Sequence, residues 1–199
     1  ILISAARQRG EALDHLLFVG SSGLGKATFA NIVANEMGVN MKVMTGSAVT
    51  RAGEMAQILT NLYAGDVLFI DEINRLNRAV QEVMLPAMEN FVLDIVIGKG
   101  SSARSIQLKL PHFTVIGTTS KLSQVNEQLI AQTYVCDFVP YDIKAIGKII
   151  LSFANQQGIP IDESGANIIA EHGNGNLSQI SNLIDKVRKY SDVRADGTI

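Results

Sequence analysis

Short apolar runs alternate with segments of helical periodicity over residues 1–140. This alternation predicts a parallel sheet with crossover helices, because a strand buried on both faces is apolar throughout. Helices are expected over residues 26–37 and around residues 55–62 and 80–88, and Pro86 should kink or end the last of them. The five expected strands lie in HLLFVG (15–20), MKVMTG (41–46), VLFIDE (67–72), HFTVIGTTS (112–120) and YVCDFVP (134–140).

An insertion interrupts this pattern at residues 91–110. Two apolar arms, FVLDIVI and SIQLKL, flank the Gly/Ser-rich stretch GKGSSAR, and this arrangement predicts a β-hairpin. Ile106, Leu108 and Leu110 alternate with polar residues, so the second arm should have one apolar face.

The pattern after Pro140 is helical throughout. An apolar face over residues 143–153 predicts a first helix, which Gly158 should end. Asp162 should cap a second helix, and Asn176 should begin a third. The predicted fold class is therefore α/β, with a five-stranded parallel sheet and inserted hairpin at residues 1–140 and a small all-helical domain at residues 141–199.

The composition fits a packed protein with few charges. Of the 199 residues, 47% are apolar and 18% are charged. The net charge of −2 does not indicate non-specific electrostatic binding of nucleic acid. Any DNA contact should therefore be local or lie outside this sequence. No apolar run approaches the length of about 18 residues that a membrane span needs, so we expect no membrane segment. The single cysteine, Cys136, favours a cytoplasmic location and should be a small core residue.

The stretch GSSGLGKAT has the spacing G-x-x-x-x-G-K of a phosphate-binding loop. Glycines let backbone N–H groups curl around phosphate oxygens, and the lysine adds a point charge. The alternative is a Gly/Ser-rich turn that happens to precede a helix, but the position between a strand and a helix favours nucleotide binding. The predicted nucleotide-binding residues are Gly20, Ser21, Ser22, Gly23, Leu24, Gly25, Lys26, Ala27 and Thr28.

Two further polar groups end buried strands. Asp71 and Glu72 follow the third strand, where P-loop ATPases hold magnesium and polarise the attacking water. Thr118, Thr119 and Ser120 end the fourth strand and can position water or phosphate. The alternatives are acids that cap the next helix and threonines that simply favour strand structure.

The histidines, His15, His112 and His172, are scattered and should be surface or ordinarily hydrogen-bonded groups.

The chain resembles the RuvB family, AAA+ motors that drive branch migration of Holliday junctions. The resemblance covers nearly the whole chain and is carried by GEALDHLLF, GLGKATFANIVANEMGVN, ILTNL, GDVLFIDEINRLNRAV, PAMENF, LDIVIGKGSSARSI, FTVIGTTS and VRADGTI. It implies an AAA+ domain with a helical lid, ATP or ADP with Mg²⁺ as cofactors, and a homo-hexameric ring. It also implies a DNA-contacting winged-helix domain after Ile199 and an adenine-enclosing segment before Ile1, both expected outside this sequence.

The resemblance also assigns roles to single residues. It implies that Lys26 binds phosphate, that Asp71 holds magnesium through water, that Glu72 is the catalytic acid, and that Thr119 is the first sensor. The hairpin around Ile95 and Ile97 falls where the family docks RuvA, its junction-binding partner. The alternative is an arm folded onto its own domain.

Four positions depart from the family pattern. Ala27 replaces a magnesium-ligating threonine, and Ile130 and Gln132 replace the arginines of the signature LRDRF, one of which reaches into the neighbouring subunit's site. Ser178 replaces the second-sensor arginine. Two hypotheses follow: an ATP-driven motor subunit, or a relative that binds nucleotide and assembles but hydrolyses poorly. A third, a clamp loader or another AAA+ machine, is disfavoured by the hairpin.

Overall fold

The computed structural model describes residues 2–97, 104–173 and 175–194. The chain forms two compact units. One contains Ile1–Val19 and Ala27–Asp137, and the other contains Gly20–Lys26 and Phe138–Ile199. The phosphate loop is thus grouped with the C-terminal helices. The predicted domain boundary after residue 140 stays a prediction.

A five-stranded sheet forms the centre of the first unit. Its strands are β1 (Leu16–Val19), β2 (Met41–Thr45), β3 (Val67–Asp71), β6 (Thr114–Thr119) and β7 (Tyr134–Asp137), and they are arranged in the order β2-β3-β6-β1-β7. All four strand pairings are parallel, which confirms the predicted sheet. Helices cover the central strands, so β3 is buried over its first four residues and β6 over all six.

The α-helices between residues 2 and 131 are α1 (Leu2–Arg9), α2 (Lys26–Met37), α3 (Ala52–Thr60), α4 (Arg78–Asn90) and α5 (Glu127–Ala131). Their apolar faces complete a core against the sheet. Met55 and Leu59 of α3 and Met84 of α4 are fully buried there. Burying one such side chain contributes roughly 1.5–3 kcal/mol.

Pro86 does not end its helix, so that part of the expectation was wrong. Helix α4 continues through Pro86 to Asn90. Four residues on its inner face, Val80, Met84, Ala87 and Met88, are buried. This packing outweighs the loss of one backbone hydrogen bond at the proline.

The inserted hairpin is confirmed. Its arms are β4 (Val92–Ile97) and β5 (Arg104–Lys109), which pair antiparallel with Leu93 opposite Leu108 and Ile95 opposite Ile106. On the other face, the Gln107 amide donates to the Asp94 carboxylate at 3.3 Å. The hairpin therefore has one apolar and one polar face.

The second unit contains α6 (Ile143–Gln157), α7 (Glu163–His172) and α8 (Leu177–Arg194). Asp162 caps α7 by accepting from the Gly165 N–H at 2.6 Å, and Gly158 ends α6 with a φ of 65°, as expected. These helices enclose their own core around Ile146 and Ile150. The predicted face of α6 was too wide, because Ile143 and Ile149 are exposed.

Cys136 is half-buried on the edge strand β7 and is not a core residue. The expectation failed because an edge strand leaves one side uncovered, which the sequence of a short strand does not reveal. Burial raises the pKa of the Cys136 thiol, and the neighbouring Asp137 acts in the same sense.

His15 is buried at the start of β1 with both ring nitrogens hydrogen-bonded. The Val115 N–H donates to Nδ1 at 2.9 Å, and Nε2 lies 3.1 Å from the Met88 carbonyl oxygen. Because Nδ1 accepts, the hydrogen is on Nε2 and the ring is neutral. Burial lowers the pKa of His15 below its ordinary value, although the Met88 bond and the Asp14 charge act in the opposite sense.

His15 should therefore make the free energy of unfolding depend on pH. The unfolded chain takes up a proton on His15 as pH falls through 6.5, while the folded chain resists it because its pKa is lowered. Stability is therefore full above pH 6.5 and decreases below it, by up to about 1.4 kcal/mol per pH unit until the folded pKa is reached. Urea unfolding of His15→Asn between pH 7.5 and 5 should lack this slope. His172→Asn, which changes an exposed histidine, should keep it; equal slopes in both variants would exclude His15 as the source.

Candidate functional site: a phosphate loop and an acid pair

The phosphate loop, Gly20–Lys26, joins β1 to α2 and has an unusual backbone. Gly23 and Gly25 have φ values of 84° and 82°, which side-chain-bearing residues rarely adopt. A Cβ on Gly20 would lie 2.4 Å from the Phe138 carbonyl oxygen. Glycine is therefore required at these positions by the fold as well as by any phosphate.

Lys26 is the first residue of α2, and its ammonium group folds back on the loop. Nζ donates to the carbonyl oxygens of Gly20 at 2.8 Å and Ser21 at 2.7 Å. The lysine thus lies at the loop, as a phosphate-binding lysine requires.

The N-terminus of α8 contacts the other half of the same loop. The Leu177 N–H donates to the Gly23 carbonyl oxygen at 2.8 Å. The Asn176 side-chain amide donates to the Ser22 carbonyl oxygen at 3.3 Å. Sequence reasoning missed these contacts, which join residues more than 150 positions apart; the only signal for Asn176 was its helix-capping position.

Ala27 and Thr28 follow the loop in the first turn of α2 and are both exposed. The methyl group of Ala27 offers no ligand to a metal. Successive residues of a helix point about 100° apart, so Thr28 does not replace the missing hydroxyl.

The acid pair lies at the carboxyl end of β3. Asp71 is exposed, and its Oδ1 accepts from the Thr118 hydroxyl at 2.5 Å. The Thr118 oxygen in turn accepts from the Glu72 N–H at 3.1 Å. Thr118, which is buried on β6, therefore connects the two acids and holds them in place.

Glu72 has a left-handed backbone, with φ 55° and ψ 55°. This conformation is unfavourable for a residue with a side chain and persists only where the surroundings enforce it. Gly46, just after β2, provides part of that support by donating to the Asp71 carbonyl oxygen at 2.7 Å. A Cβ on Gly46 would lie 2.2 Å from the Glu72 carbonyl oxygen. The Glu72 carboxylate pairs with Arg75 at 3.2 Å on the surface.

Thr119 is buried beside Thr118 but makes different contacts. Its hydroxyl lies 2.9 Å from the Asn74 side-chain oxygen and accepts from the Lys121 N–H at 3.1 Å. Asn74 follows the acid pair by two residues, so Thr119 connects the ends of β3 and β6. Its role as a sensor stays a prediction.

The positions that depart from the family pattern differ in their surroundings. Ile130 is half-buried and packs against the main core of the first unit. Gln132 is half-buried and ends α5. Ser178 is exposed in the first turn of α8.

Most of the described apolar face of the hairpin is exposed. Leu93 is 2% exposed, whereas Ile95, Ile106 and Leu108 are 37%, 51% and 41% exposed. This distribution weakens the alternative that the arm folds onto its own domain. The Ile97 backbone pairs with Arg104, and its side chain lies outside the described part of the chain.

Within the described ranges, no helix is long and apolar enough to cross a membrane. The same residues include no group of three His, Cys, Asp or Glu side chains that could hold a metal ion.

A parallel sheet in this strand order, with a glycine-rich loop and helix after β1 and acids at the end of β3, defines a P-loop nucleotide-binding protein. Residues 1–136 match the family model of the Holliday junction DNA helicase RuvB P-loop domain. The chain therefore belongs to the RuvB family.

Similar proteins agree with this assignment. The Holliday junction branch migration complex subunits RuvB of Thermomicrobium roseum and Chloroflexus aurantiacus are each 49% identical to it over 100% of this chain and 57% of their own length. The solved Thermotoga maritima RuvB Holliday junction branch migration motor has a TM-score of 0.87 and 35% identity, covering 98% of this chain and 61% of that one. The chain thus spans less than two thirds of the length of these relatives.

Proposed function

We propose that this chain is the nucleotide-binding part of a Holliday junction branch-migration motor subunit, and that it hydrolyses ATP slowly. The observation that carries the proposal is the acid pair, because Thr118 and Gly46 hold Glu72 in a strained backbone that a simple helix cap would not need. The names of the similar subunits support the junction part of the proposal, and the name of the similar Thermotoga maritima structure supports the motor part.

The loop residues fit the phosphates of ATP or ADP. The loop has the glycines and the lysine that such groups require. A bound nucleotide would bring Mg²⁺, which Asp71 would hold through water. Glu72 would accept a proton from the attacking water, and its surface pair with Arg75 is too weak to prevent this.

Slow hydrolysis is supported by the four departures. Ala27 offers no metal ligand, and neither Ile130, Gln132 nor Ser178 can place a positive charge on a transferring phosphoryl group. Binding depends less on these positions, because the loop backbone and Lys26 remain. Hydrolysis should therefore be impaired more than nucleotide binding.

We further propose a homo-hexameric ring in the cytoplasm, with DNA contacted mainly by a domain outside this sequence. The hairpin would dock a RuvA-like junction-binding protein. An exposed apolar strand face on one side of a hairpin suits a partner surface.

The direct test is ATP turnover by the full-length, ring-forming protein, with and without junction DNA and a RuvA-like partner. We expect nucleotide binding together with slow turnover. A rate typical of intact AAA+ motors would overturn the slow-hydrolysis part. Failure to bind ATP or ADP at millimolar concentration would overturn the nucleotide-binding proposal itself.

The hairpin allows a matched test of partner docking. Ile106→Glu places a charge on the exposed apolar face and should weaken binding of a RuvA-like domain at least about tenfold, because the charge would be desolvated in the contact. Gln107→Glu adds the same side chain at the next position, on the polar face. Binding measured by surface plasmon resonance should be nearly unchanged for Gln107→Glu, and equal losses in both variants would exclude the apolar face as the docking site.

A further inference from the structure

Four consecutive carbonyl groups of the phosphate loop, those of residues 20–23, accept hydrogen bonds from within the second unit. Lys26 binds the first two, at 2.8 and 2.7 Å. The N-terminus of α8 binds the other two, through the Asn176 amide at 3.3 Å and the Leu177 N–H at 2.8 Å. Two of these four hydrogen bonds therefore come from one helix end.

These contacts determine the direction of the loop N–H groups. In a trans peptide the carbonyl of one residue points opposite to the N–H of the next, and the described residues contain no cis peptide bond. When the Ser22 and Gly23 carbonyls point to α8, the N–H groups of Gly23 and Leu24 point away from it. Successive N–H groups held in one direction form an anion-binding concavity.

Asn176 makes this arrangement through two atoms of one side chain. Its Oδ1 accepts from the Gln179 N–H at 3.1 Å and so caps α8. Its Nδ2 donates to the loop at Ser22. Serine or aspartate would also cap the helix, but serine is too short to reach the loop and aspartate has no donor.

Asn176 also lies close against the loop at Gly23. A Cβ on Gly23 would lie 2.0 Å from the Asn176 side-chain oxygen. Gly23 is therefore needed both for its positive φ and for room for Asn176. The Asn176 side chain therefore contacts the loop at one defined place, beside Gly23.

We propose that Asn176 is a positioning residue for phosphate binding: by holding the Ser22 carbonyl against the end of α8, it directs the loop N–H groups toward the nucleotide phosphates. The proposal rests on nucleotide binding by the loop, as proposed above. It gives α8 a role in phosphate binding that does not require a charged residue at position 178.

The test compares the same substitution at two helix caps. Asn176→Ser keeps a capping oxygen and removes the donor to the loop. Asn77→Ser is the matched control, because Asn77 also caps a helix, accepting from the Val80 N–H at 3.0 Å, and its amide also donates to a backbone carbonyl, that of Thr50, at 2.7 Å. The probe is ADP, with affinity measured by calorimetry and stability by thermal unfolding of the whole chain.

We expect both variants to lose similar stability, whereas only Asn176→Ser should weaken ADP binding, by about fivefold, as the loss of one hydrogen bond predicts. Amide hydrogen exchange without nucleotide should also become faster across residues 21–25 in Asn176→Ser alone. Equal ADP affinities in the two variants would overturn the proposal while leaving nucleotide binding intact. If the unaltered chain binds no ADP, nucleotide binding fails, and unchanged loop exchange in Asn176→Ser would then exclude the positioning contact independently.

Discussion

Ala27→Thr combined with Ile130→Arg, Gln132→Arg and Ser178→Arg should raise steady-state ATP turnover by about 10³-fold, the lower end of what an arginine finger alone contributes in related enzymes. The threonine would supply a metal ligand, and the arginines would supply charge to the transferring phosphoryl group. In the proposed ring of identical subunits, every neighbour would lack the same arginines. Turnover should be measured on the full-length protein, with ring assembly of each variant checked by size-exclusion chromatography.

The single variants are the controls for this result. Ala27→Thr alone should make nucleotide binding more dependent on magnesium but should not restore fast turnover, because the transition-state charge stays unmatched. Ile130 packs against the core, so Ile130→Arg will destabilise the fold, and the combination without it should be measured in parallel. If any single change restores turnover as fully as all four, the argument from several missing groups is wrong.

Lys26→Ala should lower the affinity for ATP by about 100-fold, as expected for losing charge-assisted hydrogen bonds to phosphate. The change also removes the donor to the Gly20 and Ser21 carbonyls, so the loop loses support as well as charge. Lys26→Arg should not restore binding, because a planar guanidinium does not fit a site built for a compact ammonium. Calorimetric titration with ATP measures both variants.

Lys42→Ala is the matched control for this loss. Lys42 lies on β2, and its ammonium also donates to a backbone carbonyl, that of Asn61. The variant should bind ATP as the unaltered chain does. If both lysine substitutions lowered the affinity for ATP equally, the loss would be a general effect of charge, and Lys26 would be excluded as a phosphate-binding residue.

The central strands of the sheet were predictable because they are buried and appear as apolar runs between turn residues. The capping residues Asp162 and Gly158 were predictable for a similar reason, since their roles depend on local chemistry. Pro86 shows the limit of local rules, because the packing of α4 outweighs the proline. Cys136 shows another limit, because a short edge strand has the same apolar character as a central one.

The sequence motifs of the candidate site were predictable, but the hydrogen bonds that connect its residues were not. The spacing of the loop and the position of Asp71 and Glu72 identified chemistry that depends on near neighbours in the sequence. The contacts of Asn176 with the loop and of Thr118 with the acids join distant segments, so no local pattern contains them. Thr118 and Thr119 are adjacent on one strand, and only their partners distinguish them.

Gly46 has a consequence for how the gene can vary. Every missense change in a glycine codon adds at least a Cβ, and here that atom would lie 2.2 Å from the Glu72 carbonyl oxygen. No single-nucleotide missense mutation at this codon is therefore structurally silent, although the residue has no functional group. The geometry of the acid pair is protected by a position that a search for reactive side chains would pass over.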